Sequence, residues 1–382
     1  MELTCEQNTL FSALESVERI ASVKSTVPII SNLLLEATKV GLRISANNLE
    51  MGMEVMVPAR VQEEGAILVS AKTLTGIVSK LPEGSSVTVR SSENQQVRLS
   101  FKESKFQLYG LPPDEFPALP KLKDAKTIPI LAEALEQMIR QTIFAVSTSE
   151  ERYVLNGMLV NIGNNLIQMV ATDGFRLAKK EVALKGHDSV EGSYIIPGRV
   201  LHELTRAIRG GARLGKGEKD EVKLSISPDQ AAFRYRDYHL VSRLIQGQFP
   251  DYKQVIPKSS DTTVVLDTHE LLEAVERAAI IAQAGSNMVK LELDGSRLHV
   301  SVSVPEVGSV DEVLSAQVKG SDKVQVAFSA RLMMDVLRVI PTQEVILELG
   351  GSSAPGVFRP AEALDYVHLI MPIRTVETVP AV

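Results

Sequence analysis

The sharpest chemical candidate in the sequence is Asp173, which is followed by Gly174 in the phrase ATDG. An aspartate leaving a strand into a glycine turn can hold a metal or serve phosphoryl chemistry, but only with partners. Those partners are missing. The six histidines, among them His187, His202 and His239, have no metal-ligand spacing, and neither a glycine-rich phosphate loop nor GxSxG occurs. Asp173 therefore reads as a turn or capping carboxylate. The single cysteine, Cys5, can form no intrachain disulfide and supply no structural zinc cluster, which fits a reducing compartment. It reads as a small buried hydrophobe. No catalytic residue, metal ligand or cofactor site emerges, so the chemistry left to consider is binding.

Forty-seven acidic against 41 basic side chains leave a formal charge of −6, which argues against a tight grip on nucleic acid. With no tryptophan and 4% aromatics, a stacking platform for single-stranded bases is poorly supported. The cations are nevertheless not scattered. Lys72 and Lys80, then Arg199, Arg206, Arg209, Arg213 and Lys216, then Arg331 and Arg338 gather on one class of predicted helix. Glu203 and Asp335 are the few acids beside them. Sparse cations of this kind suit weak phosphate contact that slides along DNA without reading it. No helix-turn-helix phrase, zinc-finger spacing or RNA-binding aromatic motif is visible.

Those helices belong to a plan written three times. Each copy opens on an amphipathic helix: Leu10, Leu14 and Val17; Leu135, Met138, Ile139 and Thr142; Leu271, Leu272, Val275 and Ala279. Alternating runs follow, such as Leu42, Ile44, Ala46 and Leu298, Val300, Val302, Val304, whose period of two puts one face of a strand on a core. Midway through each copy a strand runs into a second helix through VSAK, IPGR or FSAR, ending at Lys72, Arg199 and Arg331. The spacings, 199 − 72 = 127 and 331 − 199 = 132, give a domain-sized period. The second helices read Leu74, Ile77, Val78, Leu81; Leu201, Leu204, Ala207, Ile208; and Leu332, Met333, Val336, Leu337, Ile340. Pro112, Pro113, Pro117, Pro120 and Pro129 separate the first copy from the second, and the stretch 249–263 separates the second from the third. A chain of 382 residues with 44% hydrophobic and 23% charged side chains has room for two or three such domains. It carries no apolar run long enough to span a bilayer and no export signal in MELTCEQNTL.

Six phrases, in order, make the chain resemble the bacterial DNA sliding clamps from Met1 to Arg374. They are TVPIISNLLLEA (26–37), LPEG (81–84), RYVLNGMLV (152–160), ATDGFRLA (171–178), FPDYKQVIP (249–257) and LIMPIR (369–374). The resemblance implies an α+β fold of three similar domains, at 1–123, 127–257 and 261–374, with a tail at 375–382. Each domain would have two helices packed on antiparallel sheets, and two subunits would close head to tail into a ring around duplex DNA. The implied function is that of a polymerase processivity factor with no catalysis of its own. Its partners would be DNA, a second copy of the chain, a clamp loader, and replicative and repair polymerases, met in the cytoplasm at the nucleoid and not at a membrane. A non-catalytic three-domain scaffold without a DNA role is the competing reading, and it would leave the basic helices without a purpose.

The resemblance carries over residue by residue. Arg152, Leu155, Thr172, Gly174, Arg176, Leu177, Pro250, Val255, Leu369, Met371 and Pro372 stand at positions of the family's partner-peptide pocket. Leucines, Val255 and Met371 would be its apolar walls, while Arg152 and Arg176 would bond a peptide backbone or carboxylate. Two positions depart: Phe175 where many members have histidine, and Gln254 where some have arginine. Both make the pocket greasier and less positive. Lys24, Lys72, Tyr153, Arg199, Arg206, Arg331 and Arg338 would contact DNA, and Phe106, Leu108, Ile280 and Ile281 would form the subunit interface.

Overall fold

The computed structural model describes residues 1–21, 27–120, 122, 125–184, 191–212, 220–363 and 365–374. Its α-helices are α1 (Gln7–Glu18), α2 (Ala71–Val78), α3 (Ala132–Thr142), α4 (Gly198–Ala212), α5 (Thr268–Ala282) and α6 (Ala330–Leu337). Each junction phrase turns a strand directly into a helix: Gly65–Ser70 into α2, Gly192–Pro197 into α4 and Lys323–Ser329 into α6. The burial pattern changes there from period two to period 3.6, which is what the sequence patterning requires. Leu74 and Val78 of α2, Leu201 and Leu204 of α4, and Met333, Val336 and Leu337 of α6 are buried. So are Leu10, Leu14 and Val17 of α1 and Leu271, Val275 and Ala279 of α5. Each such side chain contributes about 1.5–3 kcal/mol by leaving water.

Two sequence expectations shift. Leu81 and Ile340 lie beyond the ends of α2 and α6, although they keep the helical spacing. Pro129 is no linker residue: it sits inside the strand Lys126–Leu131. That strand is the outermost of its sheet, where a residue with no N–H to donate is tolerated.

The chain forms two compact units, residues 1–136 with 199–245 and residues 137–198 with 246–382. Compactness therefore follows the sheets and not the three sequence copies, because the middle copy gives strands to both units. In the first unit an eight-stranded sheet runs Lys126–Leu131, Glu221–Ile226, Gln230–Tyr235, Tyr238–Arg243, Met51–Val57, Gly41–Asn47, Asn32–Thr38, Gly65–Ser70. First and middle copies meet inside it, at the antiparallel pairing Leu240 with Met53. A five-stranded sheet completes this unit, with Ser104–Tyr109 at one edge.

In the second unit a nine-stranded sheet joins middle and last copies in the same way. Arg176–Ala183 pairs antiparallel with Tyr366–Ile370, Ala178 opposite His368. A four-stranded sheet, with Gly308–Ser315 at one edge, lies under α5 and α6. Among the described residues no helix is long and apolar enough to cross a membrane.

Candidate partner-binding site and basic helices

The expected peptide site lies wholly in the second unit, at the turn joining Leu166–Thr172 to Arg176–Ala183. Asp173 organises that turn: its carboxylate accepts from the Phe175 N–H at 2.9 Å and the Arg176 N–H at 3.1 Å. The Thr172 hydroxyl donates to the Arg176 carbonyl at 2.6 Å and accepts from the Gly174 N–H at 3.1 Å. Gly174 has φ +93°, and a Cβ there would stand 2.7 Å from Nη1 of Arg152. A side chain is thus excluded both by backbone conformation and by space. The turn pushes Phe175 outward, 67% exposed. Its carbonyl accepts from the Met371 N–H at 2.8 Å, which ties the end of the last strand to the turn.

Strand alternation divides the remaining residues. Thr172 and Leu177 face each other across the ladder, and Leu369 pairs with Leu177, so all three share one face of the sheet. Leu177, Leu369 and Leu155 are buried, Leu177 at 1% exposure, and form a floor. The accessible rim is Phe175, Val255 at 47% and Met371 at 39%, together with exposed Pro250. Val255 follows the short helical turn Tyr252–Gln254, which Asp251 caps. Gln254 is exposed and donates to Asp251 at 3.0 Å. Pro372 is half-buried beside Met371.

Arg152 stays exposed in a kinked segment at φ −121°, ψ 57°, so it remains able to meet a ligand. Arg176 does not match its expected role. It is one residue out of phase with Leu177, so its side chain enters the opposite, helix-covered face, where it is 8% exposed. There Nε donates to Asp173 at 2.9 Å and Nη1 to Asp335 of α6 at 2.5 Å, with the guanidinium 5.4 Å from the Phe144 ring centre. It braces the turn and has little left for a peptide.

Behind it lies His368, fully buried against Phe144 and Phe358, with neither ring nitrogen paired in the structure. Burial, aided by the charge of Arg176, pushes its pKa well below the ordinary histidine value. Neither Phe144 nor His368 was marked by the sequence, because a buried brace looks like any core position until its partners are known.

The basic residues emerge on exposed helix faces in both units. In the first, Lys72 is exposed and has no ion pair among the described residues. Arg199 donates to the Arg19 carbonyl at 2.9 Å, and Arg206 is held by Glu203 at 2.6 Å. In the second, Arg331 is exposed without an ion pair among the described residues, and Arg338 is held by Glu276 at 2.7 Å. Tyr153 is exposed and donates to the Gln246 carbonyl at 2.9 Å. Lys24 and the tail 375–382 lie outside the described residues. Among the described residues no group of three His, Cys, Asp or Glu side chains could hold a metal ion. Cys5 is buried, which pushes its thiol up to about 12.

The expected interface residues stand at sheet margins. Phe106 and Leu108 are half-buried on the edge strand Ser104–Tyr109 of the first unit. In the second, Ile280 on α5 is 72% exposed and Ile281 half-buried. Arg277 of α5 is tied to Glu312 of the edge strand Gly308–Ser315 at 2.5 Å.

Triplicated α+β copies, fused through shared sheets and presenting exposed apolar and basic side chains, define a docking platform. Models of the DNA polymerase III beta subunit match almost the whole chain: the N-terminal domain at residues 1–120, the central domain at 129–251 and the C-terminal domain at 253–374. A beta sliding clamp from a Synechocystis species is 32% identical over 397 aligned positions, covering 98% of this chain and 100% of that protein. One from Bacillus subtilis is 29% identical with the same coverage. The crystal structure of the Bacillus subtilis DNA polymerase sliding clamp superposes with a TM-score of 0.91 at 29% identity, over 98% of this chain and 100% of that one. A Pseudomonas aeruginosa sliding clamp bound to griselimycin also gives 0.91, at 27% identity and the same coverage. The chain belongs to the beta sliding clamp family, the beta subunits of DNA polymerase III.

Proposed function

We propose that the chain is a DNA polymerase processivity factor that closes head to tail with a second copy around duplex DNA. It tethers replicative and repair polymerases through short peptides that dock in the second unit. The processivity role follows from membership of the family, whose subunits hold a polymerase on its template and do no chemistry. Three domains near 1–123, 127–257 and 261–374 would supply the arc of each subunit, and a clamp loader would open the ring in the cytoplasm. A ring needs no tight contact with DNA, so a chain of net charge −6 with a few exposed cations is suited to sliding.

The observation that carries the tethering role is the exposed rim of Phe175, Val255 and Met371 around a floor of buried leucines. Exposed apolar side chains around a packed floor suit an extended segment with two apolar anchors. Each anchor is worth about 1.5–3 kcal/mol, so after ordering costs such a peptide binds in roughly the micromolar range. The test is fluorescence anisotropy with a labelled hexapeptide carrying leucine and phenylalanine. Phe175→Ala combined with Met371→Ala should weaken binding at least tenfold without changing the oligomeric state. Unaltered binding would place the pocket elsewhere.

A further inference from the structure

The loop that carries Pro250 and Val255 does not close the groove at the margin of the sheet. It crosses the same face that bears Thr172, Leu177 and Leu369, and the Tyr252 hydroxyl pins it there by bonding the side chain of Gln168. The registers Leu159 with Val170, Asn161 with Gln168, Ser193 with Asn161 and Ile195 with Leu159 put these residues on that face too. The strap therefore divides one sheet face into two depressions. On one flank is the exposed apolar rim of Phe175, Val255 and Met371. On the other is a cleft of about 440 Å³, lined by Leu159, Asn161, Ser193 and Ile195 below and by residues 247–253 above. Pro250 belongs to both.

The cleft's floor is polar and already satisfied. Ser193 donates to Asn161 at 2.8 Å, Asn161 to Gln168 at 3.2 Å, and Gln168 to Glu181 at 3.1 Å, whose charge Lys179 holds at 2.9 Å. The Asp251 carboxylate is occupied by the Lys253 N–H and the Gln254 side chain. What stays open is the Lys253 ammonium, which has no ion pair among the described residues, and the exposed amide of Gln248. One unneutralised cation and a free amide over a satisfied floor favour an anionic, hydrogen-bonding occupant.

We infer that this cleft is a second subsite for the same partner peptides, receiving an acidic residue that flanks their apolar anchors. The inference rests on the tethering role proposed above. An extended chain advances about 3.3 Å per residue, so a segment leaving the rim over Pro250 enters the cleft within a few residues.

The probes are the leucine–phenylalanine hexapeptide alone, and the same peptide lengthened at either end by two glutamates or by two glutamines. At one end only, glutamates should tighten binding roughly fivefold over glutamines, the scale of one partly exposed charge pair. Lys253→Glu and Ser193→Trp, the latter filling the cleft, should each abolish that gain while leaving the unextended peptide unchanged. Equal binding of glutamate and glutamine extensions overturns the subsite, as does a gain that survives either variant. A gain lost in Lys253→Glu but kept in Ser193→Trp reports surface attraction alone and overturns it too. Failure of the unextended peptide to bind would remove the tethering reading itself and the subsite with it, a result distinct from all the others.

Discussion

Asp173 shows how far single residues can be read. An aspartate before glycine, without metal or phosphate company, is expected to cap a turn, and it accepts both following N–H groups. Arg176 shows where reading stops. Its type suits a ligand, but strand phase decides which face it enters, and phase depends on the number of residues in the turn. Buried against Asp173 and Asp335, it is expected to support the site from behind. Arg176→Met should destabilise the protein by about 2–3 kcal/mol in urea unfolding, since two partly buried carboxylates lose their partner. His368 should make stability depend on pH. Its folded-state pKa lies well below the ordinary value of 6.5, so below pH 6.5 the unfolded chain takes up a proton that the folded chain refuses. Stability is therefore unaffected by this group above that pH. It falls as pH drops below it, by up to about 1.4 kcal/mol per pH unit. His368→Leu should flatten the dependence of the urea midpoint between pH 7.5 and 5.5. An identical slope in both proteins would show that His368 is not the group responsible.

At the level of elements, the strand-to-helix junctions were the most legible features. VSAK, IPGR and FSAR each place a small residue where alternation gives way to helical spacing, and each marks the start of a second helix. Helix ends were less legible, because Leu81 and Ile340 continue the apolar rhythm after the backbone has turned away. Pro129 misled for a related reason: proline excludes a central strand but not an edge. The margins of the sheets are also where subunit contact is expected. Ile280 is too exposed on α5 to be core, and the edge strand Gly308–Ser315 is held beside it by the Arg277–Glu312 ion pair. Replacing Ile280 and Ile281 together with alanine should yield a folded monomer by sedimentation equilibrium at micromolar concentration. A persistent dimer would move the interface elsewhere.

The triplication was legible across the whole molecule because it is a property of sequence spacing. The fusion of neighbouring copies through shared sheets was not, because the pairings Leu240 with Met53 and Ala178 with His368 join strands almost 190 residues apart. Local patterning holds no information about such partners. The net negative charge likewise concealed a few cations placed on exposed helix faces. Lys72 and Arg331, which no carboxylate holds among the described residues, should contribute most to DNA binding. Lys72→Ala with Arg331→Ala should lower the slope of log affinity against log salt by about 0.9 for each phosphate that is no longer neutralised, without changing sequence preference. Encirclement itself is tested most directly by topology. Loaded onto nicked circular DNA, the protein should stay bound through gel filtration and be released when the circle is cut once by a restriction enzyme. Equal retention on circular and linearised DNA would mean that it grips the duplex and does not enclose it.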